Sequence, residues 1–235
     1  MKMIIKVTNE KTLINALVSH IEKISTDAIG SRGKFFIGLS GGSLVNYLSE
    51  GLPSISTDWS KWTVAFCDER LVPEYSEDST FGAYKRELLS EPNCPLKDYQ
   101  FITIKQGVSA KDAAKDYTTK LTQAFGGDNF QFDLLLLGMG PDGHTCSLFP
   151  NHKLLEETTF KVAAITDSPK PPPSRITLTY PVINKARNCI FAICGQGKAK
   201  MVKSILTDKE DFPAGRVNPD GCLYWILDNG AASLL

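Results

Sequence analysis

Short runs of apolar and β-branched residues alternate along the chain with longer segments in which apolar residues recur every three or four positions. The first of these longer segments places Leu13, Leu17 and Ile21 on one face of a helix. Helices are predicted over residues 10–29, 43–50, 80–90, 110–125, 181–185 and 198–206. Strands are predicted over residues 3–7, 34–39, 62–67, 100–104, 132–137, 160–166, 175–178, 189–194 and 223–227.

The alternation of strands and helices predicts βαβ crossovers, which give a mainly parallel sheet covered by helices on both faces. The expected fold class is therefore α/β, doubly wound and Rossmann-like. The 235 residues contain no internal repeat and no low-complexity stretch, so a single domain over residues 1–235 is expected. Ligands of such folds bind beyond the carboxyl ends of the strands, and the residues that follow each strand are therefore the candidates for a site.

The charge balance narrows the range of partners. Lys and Arg total 26, as do Asp and Glu, so the net charge is zero; binding of nucleic acid or an acidic membrane needs surplus positive charge. The leucine run at 134–137 is far shorter than the ~20 apolar residues that cross a bilayer, and the first six residues do not form a signal peptide. None of the six cysteines forms a Cys-x-x-Cys pair, which favours reduced thiols in a cytoplasmic protein over a disulfide framework.

Two glycines follow the predicted strand over residues 34–39, in the sequence Ser40-Gly41-Gly42-Ser43. Glycine backbone can approach an anion closely, and the positive end of the next helix favours phosphate. Ser43 adds a hydroxyl group. The same residues also suit an ordinary tight turn with a serine N-cap, and the loop alone does not decide between the two interpretations.

Three charged residues, Asp68, Glu69 and Arg70, follow the buried strand over residues 62–67. At least one of them is expected to cap a helix or to form an ion pair, which is the ordinary structural role of such residues. The functional interpretation places Asp68 or Arg70 in a cleft at the end of the sheet.

The loop after the most apolar strand, residues 138–143, contains a formal Gly-x-Gly-x-x-Gly pattern of the kind found in dinucleotide-binding sites. Pro141 and His144 stand where such a site needs small residues and a continuing helix, and Pro150 interrupts the segment soon afterwards. A dinucleotide site is therefore excluded. A Walker-type phosphate loop is excluded as well, because Lys198 is followed by Ala199 and not by Ser or Thr.

His144 follows this loop and lies two residues from Asp142. A carboxylate beside an imidazole fixes its tautomer and supports it as a general base near neutral pH. Metal binding is the competing use of such a pair, but no other histidine or paired cysteine stands at ligand spacing, so no metal is expected. Arg175 and Lys198 are two cations that, together with the glycine loop, would suit a phosphate dianion.

Five blocks of sequence carry a family resemblance. They are Ser40-Gly41-Gly42-Ser43 and residues 68–73, 138–150, 175–178 and 195–199. The most specific is Asp-Gly-His-Thr-Cys-Ser-Leu-Phe-Pro, which begins at Asp142. In their order and spacing, over nearly the whole chain, these blocks resemble 6-phosphogluconolactonase, within the glucosamine/galactosamine-6-phosphate isomerase superfamily.

The resemblance implies hydrolysis of 6-phospho-D-glucono-1,5-lactone to 6-phospho-D-gluconate, the second step of the oxidative pentose phosphate pathway, with no metal and no organic cofactor. It implies that His144 activates water, that Asp142 orients His144, and that Arg70 stabilises developing charge or holds the sugar acid. It leaves open whether Asp68 is catalytic or structural. The residues that the resemblance assigns to the 6-phosphate are Gly41, Gly42, Ser43, Arg175 and Lys198.

Two other functions are weighed against this one. A sugar-phosphate deaminase or isomerase of the same fold would need an acid that assists ring opening, with Asp68 as the candidate base. The deaminases carry Asn-Glu-Pro at the end of the segment that matches residues 147–150, where this chain has no acid. A non-enzymatic sugar-phosphate sensor is expected to lose His144 or to gain a DNA-binding segment. The expected partner is a small sugar-phosphate lactone, bound by a monomer or a small homo-oligomer.

Overall fold

A six-stranded parallel sheet forms the centre of the computed structural model, which describes residues 1–235. The nine strands of the protein are β1 (Lys2–Val7), β2 (Phe35–Leu39), β3 (Trp62–Phe66), β4 (Asp68–Arg70), β5 (Leu134–Leu137), β6 (Val162–Ile165), β7 (Arg175–Leu178), β8 (Asn188–Ile193) and β9 (Cys222–Asp228). The central sheet has the order β1-β9-β8-β5-β2-β3, and every neighbouring pair in it is parallel. The predicted α/β class with a mainly parallel sheet is confirmed.

Six helices accompany the strands, and each overlaps a predicted helix. They are α1 (Glu10–Arg32), α2 (Ser43–Gly51), α3 (Thr80–Tyr84), α4 (Ala110–Phe125), α5 (Tyr180–Ile183) and α6 (Ala199–Leu206). A π-helical turn, Lys85–Leu89, continues α3 through most of the remaining predicted helix. Asn9 caps the start of α1, and Gly33 ends it in the left-handed conformation. No helix has the combination of length and hydropathy that a membrane crossing requires.

A second sheet of three antiparallel strands, in the order β4-β7-β6, lies outside the predicted parallel sheet. Only Cys67 separates β3 from β4, and β6 connects to β7 without a helix. Because a parallel pair needs a crossover of a dozen or more residues, usually a helix, the short connection from β6 to β7 favours their antiparallel pairing.

The strand predicted over residues 100–104 is wrong. Phe101 forms a single isolated bridge with Val64, and no ladder continues from it. The apolar residues that suggested a strand are buried for another reason, since Phe101 and Ile104 pack into the hydrophobic clusters on the two faces of the central sheet.

Separate hydrophobic clusters cover the two faces of the central sheet. In β5, Leu134 and Leu136 pack into the cluster beneath α1 and α2, whereas Leu135 and Leu137 pack into the cluster that contains α4 and α6. All four leucines are completely buried. Because full burial of a leucine contributes roughly 1.5–3 kcal/mol, β5 is a firmly anchored support for the loop that follows it.

The direction of the chain changes between β2 and β5, which are neighbours in the central sheet. From β2 the chain continues to β3 on one side, and from β5 it continues to β8 on the other. Such a switch point leaves a crevice at the carboxyl ends of the strands. The fold therefore directs the loops after β2, β3, β5 and β8 toward one place.

Candidate active site

A cleft of about 230 Å³, here called the central cleft, lies at the carboxyl ends of β2, β3, β5 and β8. Two of the predicted site residues do not line this cleft: Asp142, which is hydrogen-bonded to His144, and Arg175. The other predicted site residues all line the cleft: Gly41, Gly42, Ser43, Asp68, Arg70, His144 and Lys198.

The loop that carries His144 turns sharply after β5. The Gly140 amide donates a hydrogen bond to the His144 carbonyl oxygen (2.9 Å), and the Gly143 amide donates to the Gly140 carbonyl oxygen (3.0 Å). Gly143 has a φ of +76°, and the Phe212 ring packs against it. A Cβ atom at Gly140 would overlap the His144 imidazole. These glycines therefore serve the packing of the loop, and no α-helix follows them as a dinucleotide site would require.

His144 and Asp142 form a hydrogen-bonded pair at the cleft wall. His144 Nδ1 lies 2.5 Å from Asp142 Oδ1, and the imidazole packs on the Phe149 ring with centroids 4.8 Å apart. Because a carboxylate accepts a hydrogen bond, this contact selects the tautomer with the proton on Nδ1. Nε2 forms no hydrogen bond within the protein, so its lone pair is available for a substrate or a water molecule.

Burial and neighbouring charges set the protonation states of this pair. Burial is the largest influence on His144 and lowers its pKa below the ordinary value of 6.5, whereas the Asp142 carboxylate opposes this shift. Partial burial raises the pKa of Asp142, but the hydrogen bonds that it accepts from His144 and Lys170 outweigh burial and hold that pKa at about 2. At neutral pH the pair therefore consists of a neutral imidazole and a carboxylate, the states that a general base requires.

Lys170 is a site residue that the sequence analysis missed. Its Nζ lies 3.0 Å from Asp142 Oδ1 and 3.2 Å from His144 Nδ1. It is 26 residues from His144 in the chain, so spacing gave no sign of the contact. The one available signal was its place directly before Pro171-Pro172-Pro173, a stiff segment that can hold a side chain in a fixed direction.

Asp68 lines the central cleft and is 6% exposed. Its Oδ2 accepts a hydrogen bond of 2.7 Å from Ser147 Oγ. Asp68 therefore ties β4 to the segment that follows His144, while its carboxylate also borders the space where a ligand would lie.

Glu69 is the capping residue that was expected among the three charges after β3. It is 2% exposed, and its carboxylate accepts hydrogen bonds from the backbone amides of Thr80 and Phe81 at the start of α3. The neighbouring Arg70 lines the central cleft instead, where its Nη1 donates to the Asp78 carbonyl oxygen (2.9 Å). Its Nε is buried and has no hydrogen-bond partner in the protein.

The loop after β2 presents backbone amides to the cleft. Gly42 precedes α2 with a φ of +72°, and no side chain caps this helix. The amides at the start of α2 therefore remain available to an anion, and the positive end of the helix favours one. Ser40 also lines the cleft and is 4% exposed, and its Oγ has no partner in the protein.

Lys198 stands in the wall formed by the turn after β8. Its Nζ donates to the Met139 carbonyl oxygen (2.7 Å), which directs the ammonium group toward the loop after β5. Asp228 supports the turn by accepting a hydrogen bond from the Gly195 amide (2.9 Å). Burial is the largest influence on Lys198 and, together with the nearby Lys170 ammonium, lowers its pKa.

The structure does not bring Arg175 into the cleft. The residue is 3% exposed, its Nε donates to the Pro172 carbonyl oxygen, and its Nη2 donates to the carbonyl oxygens of Lys170 and Pro171, each at 2.9 Å. Arg175 begins a strand, as predicted, but that strand is β7 of the antiparallel sheet. Its side chain therefore reaches the proline segment and not the carboxyl ends of the parallel strands.

No group of three or more His, Cys, Asp or Glu side chains is placed to share a metal ion. His152 lines a separate cleft, with its Nε2 3.1 Å from Asp167 Oδ1. His20, on α1, contacts the Ala16 carbonyl oxygen through Nδ1. All six cysteines are unpaired, and Cys146 lines the central cleft beside His144.

Known proteins with similar sequences share one description. The family model for glucosamine-6-phosphate isomerases/6-phosphogluconolactonase matches residues 8–225. The chain is 52% identical over 214 residues to the 6-phosphogluconolactonase of Rattus norvegicus, which covers 88% of this chain and 82% of the relative. It is also 52% identical over 215 residues to the Homo sapiens 6-phosphogluconolactonase, with 88% and 83% covered.

Solved structures from two other organisms have a similar fold. The 6-phosphogluconolactonase from Trypanosoma cruzi aligns with a TM-score of 0.85 at 26% identity, covering 100% of this chain and 97% of that one. The one from Shewanella baltica aligns with a TM-score of 0.83 at 27% identity, covering 97% and 98%. The fold is therefore retained at about half the sequence identity of the mammalian relatives.

Proposed function

The chain belongs to the glucosamine-6-phosphate isomerase/6-phosphogluconolactonase family, and from this membership we propose that it hydrolyses 6-phospho-D-glucono-1,5-lactone to 6-phospho-D-gluconate. This reaction is the second step of the oxidative pentose phosphate pathway. The observation that carries the proposal is the His144–Asp142 pair, 2.5 Å apart, in a cleft that is also lined by a glycine loop suited to an anion. The 52% identity to two mammalian 6-phosphogluconolactonases supports the same reaction.

In the proposed mechanism His144 is the general base. Its Nε2 takes a proton from water as the water oxygen bonds to C1 of the lactone, and the carbonyl oxygen becomes the oxyanion of a tetrahedral intermediate. The Arg70 guanidinium stabilises that negative charge. When the intermediate collapses, the bond between C1 and the ring oxygen breaks, and His144 returns the proton to the ring oxygen. One water is consumed, and the new carboxylic acid releases its proton to solvent.

Asp142 acts on the imidazole and not on the lactone. By accepting a hydrogen bond from Nδ1–H it keeps Nε2 unprotonated and directed at the cleft, and it stabilises the imidazolium that forms transiently. Asp68 is the other carboxylate at the cleft, and Ser147 occupies one of its oxygens. Asp68 is therefore the rival base, which a direct comparison of variants must separate from His144.

The 6-phosphate binds where the loop after β2 and the Lys198 ammonium group face the central cleft. The amides that follow Gly41 and Gly42, the Ser43 hydroxyl and the Lys198 ammonium provide donors for its oxygens. Fixing the phosphate in this way aligns C1 with His144, because binding energy from a remote group can orient the reacting centre.

Hydrolysis fits the site better than the ring-opening reaction of the deaminases in the same family. The residues directly after His144 are Thr145, Cys146, Ser147 and the run 148–150, and none of them is an acid that could assist ring opening.

We also propose that the protein acts in the cytoplasm as a monomer or small homo-oligomer, without a nucleic-acid or membrane partner. The zero net charge supports the expected lack of a polyanionic partner. The six unpaired cysteines support a reducing compartment.

The proposed function is tested with the purified protein and freshly made 6-phosphogluconolactone. Formation of 6-phosphogluconate is followed through 6-phosphogluconate dehydrogenase, and the spontaneous hydrolysis rate is subtracted. We expect saturable hydrolysis by the wild-type protein and no deamination of D-glucosamine 6-phosphate. Deamination without lactone hydrolysis would reject the proposal, and binding of sugar phosphates without any turnover would identify a sensor.

A further inference from the structure

Lys170 contacts both members of the His144–Asp142 pair, although it is not among the residues that line the central cleft. Its Nζ is 3.0 Å from Asp142 Oδ1 and 3.2 Å from His144 Nδ1. Since Nδ1 carries the proton that it donates to Asp142, the lysine donates its hydrogen bond to the carboxylate and meets the imidazole only as a neighbouring positive charge. Protonation of the imidazole would place a second positive charge beside the Lys170 ammonium group, and it is therefore disfavoured.

The backbone of Lys170 is held in place from two directions. Ser168 Oγ accepts a hydrogen bond from the Lys170 amide (3.2 Å) and donates one to the Lys170 carbonyl oxygen (2.8 Å). Arg175 donates to the same carbonyl oxygen and, with Nε, to that of Pro172. The Arg175 guanidinium also lies 5.6 Å from the centroid of the Phe149 ring on which the His144 imidazole packs.

We propose that Lys170 is a positioning residue for the lactonase reaction. It neutralises Asp142, so that the carboxylate orients His144 without holding the imidazole in its protonated form. Arg175 acts by anchoring Lys170 and not by binding the substrate phosphate. This inference rests on the proposed function, because it takes His144 as the base. It reassigns Arg175, which sequence alone placed at the phosphate.

The charges around the imidazole support this division of roles. The groups that act on His144 are Asp142, Lys170 and Asp68, and Lys170 is the only cation among them. The lysine is therefore the group whose removal most directly favours the imidazolium. Lys198 meets the loop after β5 at the Met139 carbonyl oxygen and lines the cleft, so it is the cation placed for a phosphate.

The test compares Lys170→Met, Lys170→Arg and Arg175→Met with the wild type, and uses Lys198→Met as the matched lysine control. kcat and KM for the lactone are measured from pH 5.5 to 8.5 with spontaneous hydrolysis subtracted. The His144 imidazole is titrated in parallel by NMR, without substrate.

For Lys170→Met we expect the acid limb of kcat/KM to move to higher pH, so that the ratio of activity at pH 8 to activity at pH 6 increases about threefold or more. The midpoint of the His144 NMR titration is expected to move in the same direction. In Lys170→Arg the acid limb of kcat/KM is expected to stay at its wild-type position. Arg175→Met shifts the limb like Lys170→Met while KM changes less than about threefold. Lys198→Met raises KM and leaves the limb where it is.

Two results would overturn the inference. An unmoved limb and an unmoved imidazole titration in Lys170→Met would show that the lysine does not act on His144. A large increase in KM with an unmoved limb in Arg175→Met would make Arg175 a phosphate ligand. If Arg175→Met does not fold, Arg175→Lys serves, since it keeps the charge but lacks the planar guanidinium fork that reaches the carbonyl oxygens of the proline segment. The NMR titration needs no turnover, so it separates failure of this inference from failure of the lactonase assignment.

Discussion

The two sides of the central cleft are built in different ways. The side expected to bind phosphate consists mainly of backbone amides at the start of α2 together with one lysine, Lys198. The side expected to perform the chemistry is a dense cluster of side chains in which Asp142 contacts both His144 and Lys170. The position of backbone donors is set by the helix and not by any one side chain. The geometry of a side-chain cluster, in contrast, depends on each of its members. Substitutions on the two sides are therefore expected to affect different kinetic constants.

The largest effect is expected from His144→Ala on the catalytic side. A general base contributes roughly 10²–10⁴-fold, or about 3–5 kcal/mol at ~1.4 kcal/mol per tenfold. We therefore predict a fall in kcat of at least about a hundredfold with little change in KM, because the phosphate donors are untouched. His152→Ala is the matched control, since that histidine lines a separate cleft. A large increase in KM for His144→Ala, with kcat unchanged, would contradict the assignment of different roles to the two sides.

Gly140→Ala tests how tightly the catalytic cluster is packed. A Cβ atom at this position would overlap the His144 imidazole and crowd Asp142. Misplacement of a catalytic group by about 1 Å can cost ~10²-fold in rate, so we predict a loss in kcat of about that size in a protein that still folds. Gly127→Ala is the control, because nothing lies within 4 Å of a Cβ there. Wild-type kcat in Gly140→Ala would mean that the imidazole position is not critical.

Lys198→Met is the corresponding change on the phosphate side. A hydrogen bond to a charged group contributes about 1.5–3 kcal/mol, so we predict an increase in KM of roughly 10–150-fold. The loss in kcat is predicted to be smaller. Lys203→Met is the control, because Lys203 lies on α6, the helix that follows Lys198, and is paired with Asp208 at the surface. If the wild-type protein hydrolysed unphosphorylated gluconolactone as fast as the 6-phosphorylated lactone, neither side of the cleft would be a phosphate site.

The smallest effect is expected from chelators. The side chains provide no shared set of metal ligands, so activity is predicted to survive exhaustive treatment with EDTA or phenanthroline within about twofold. The assay is repeated after adding Mg²⁺ or Zn²⁺. Loss of activity that a divalent ion restores would require a different mechanism on the catalytic side.

Each of the two sides is predicted by the sequence only in part. His144 and Asp142 are two residues apart, and the glycine loop directly follows a strand, so local pattern was enough to place them. The contact of Lys170 with His144 joins residues 26 apart, and only the folded chain brings them together.

The position of Arg175 outside the lining of the central cleft was also not evident from the sequence. Its strand was predicted with the bounds that the structure has, Arg175–Leu178, but apolar periodicity does not reveal whether a strand pairs parallel or antiparallel. The antiparallel pairing of β7 with β6 points the arginine at the proline segment. For the same reason the sequence predicted the central parallel sheet and not the smaller second sheet.

The most direct test of the account compares two variants, His144→Ala and Asp68→Asn, at saturating lactone near neutral pH. Circular dichroism and thermal unfolding establish that both are folded. The account predicts that His144→Ala loses at least about a hundredfold in kcat and that Asp68→Asn retains more activity than His144→Ala. An inactive, folded Asp68→Asn beside an active His144→Ala would make Asp68 the base and would contradict the assignment of His144.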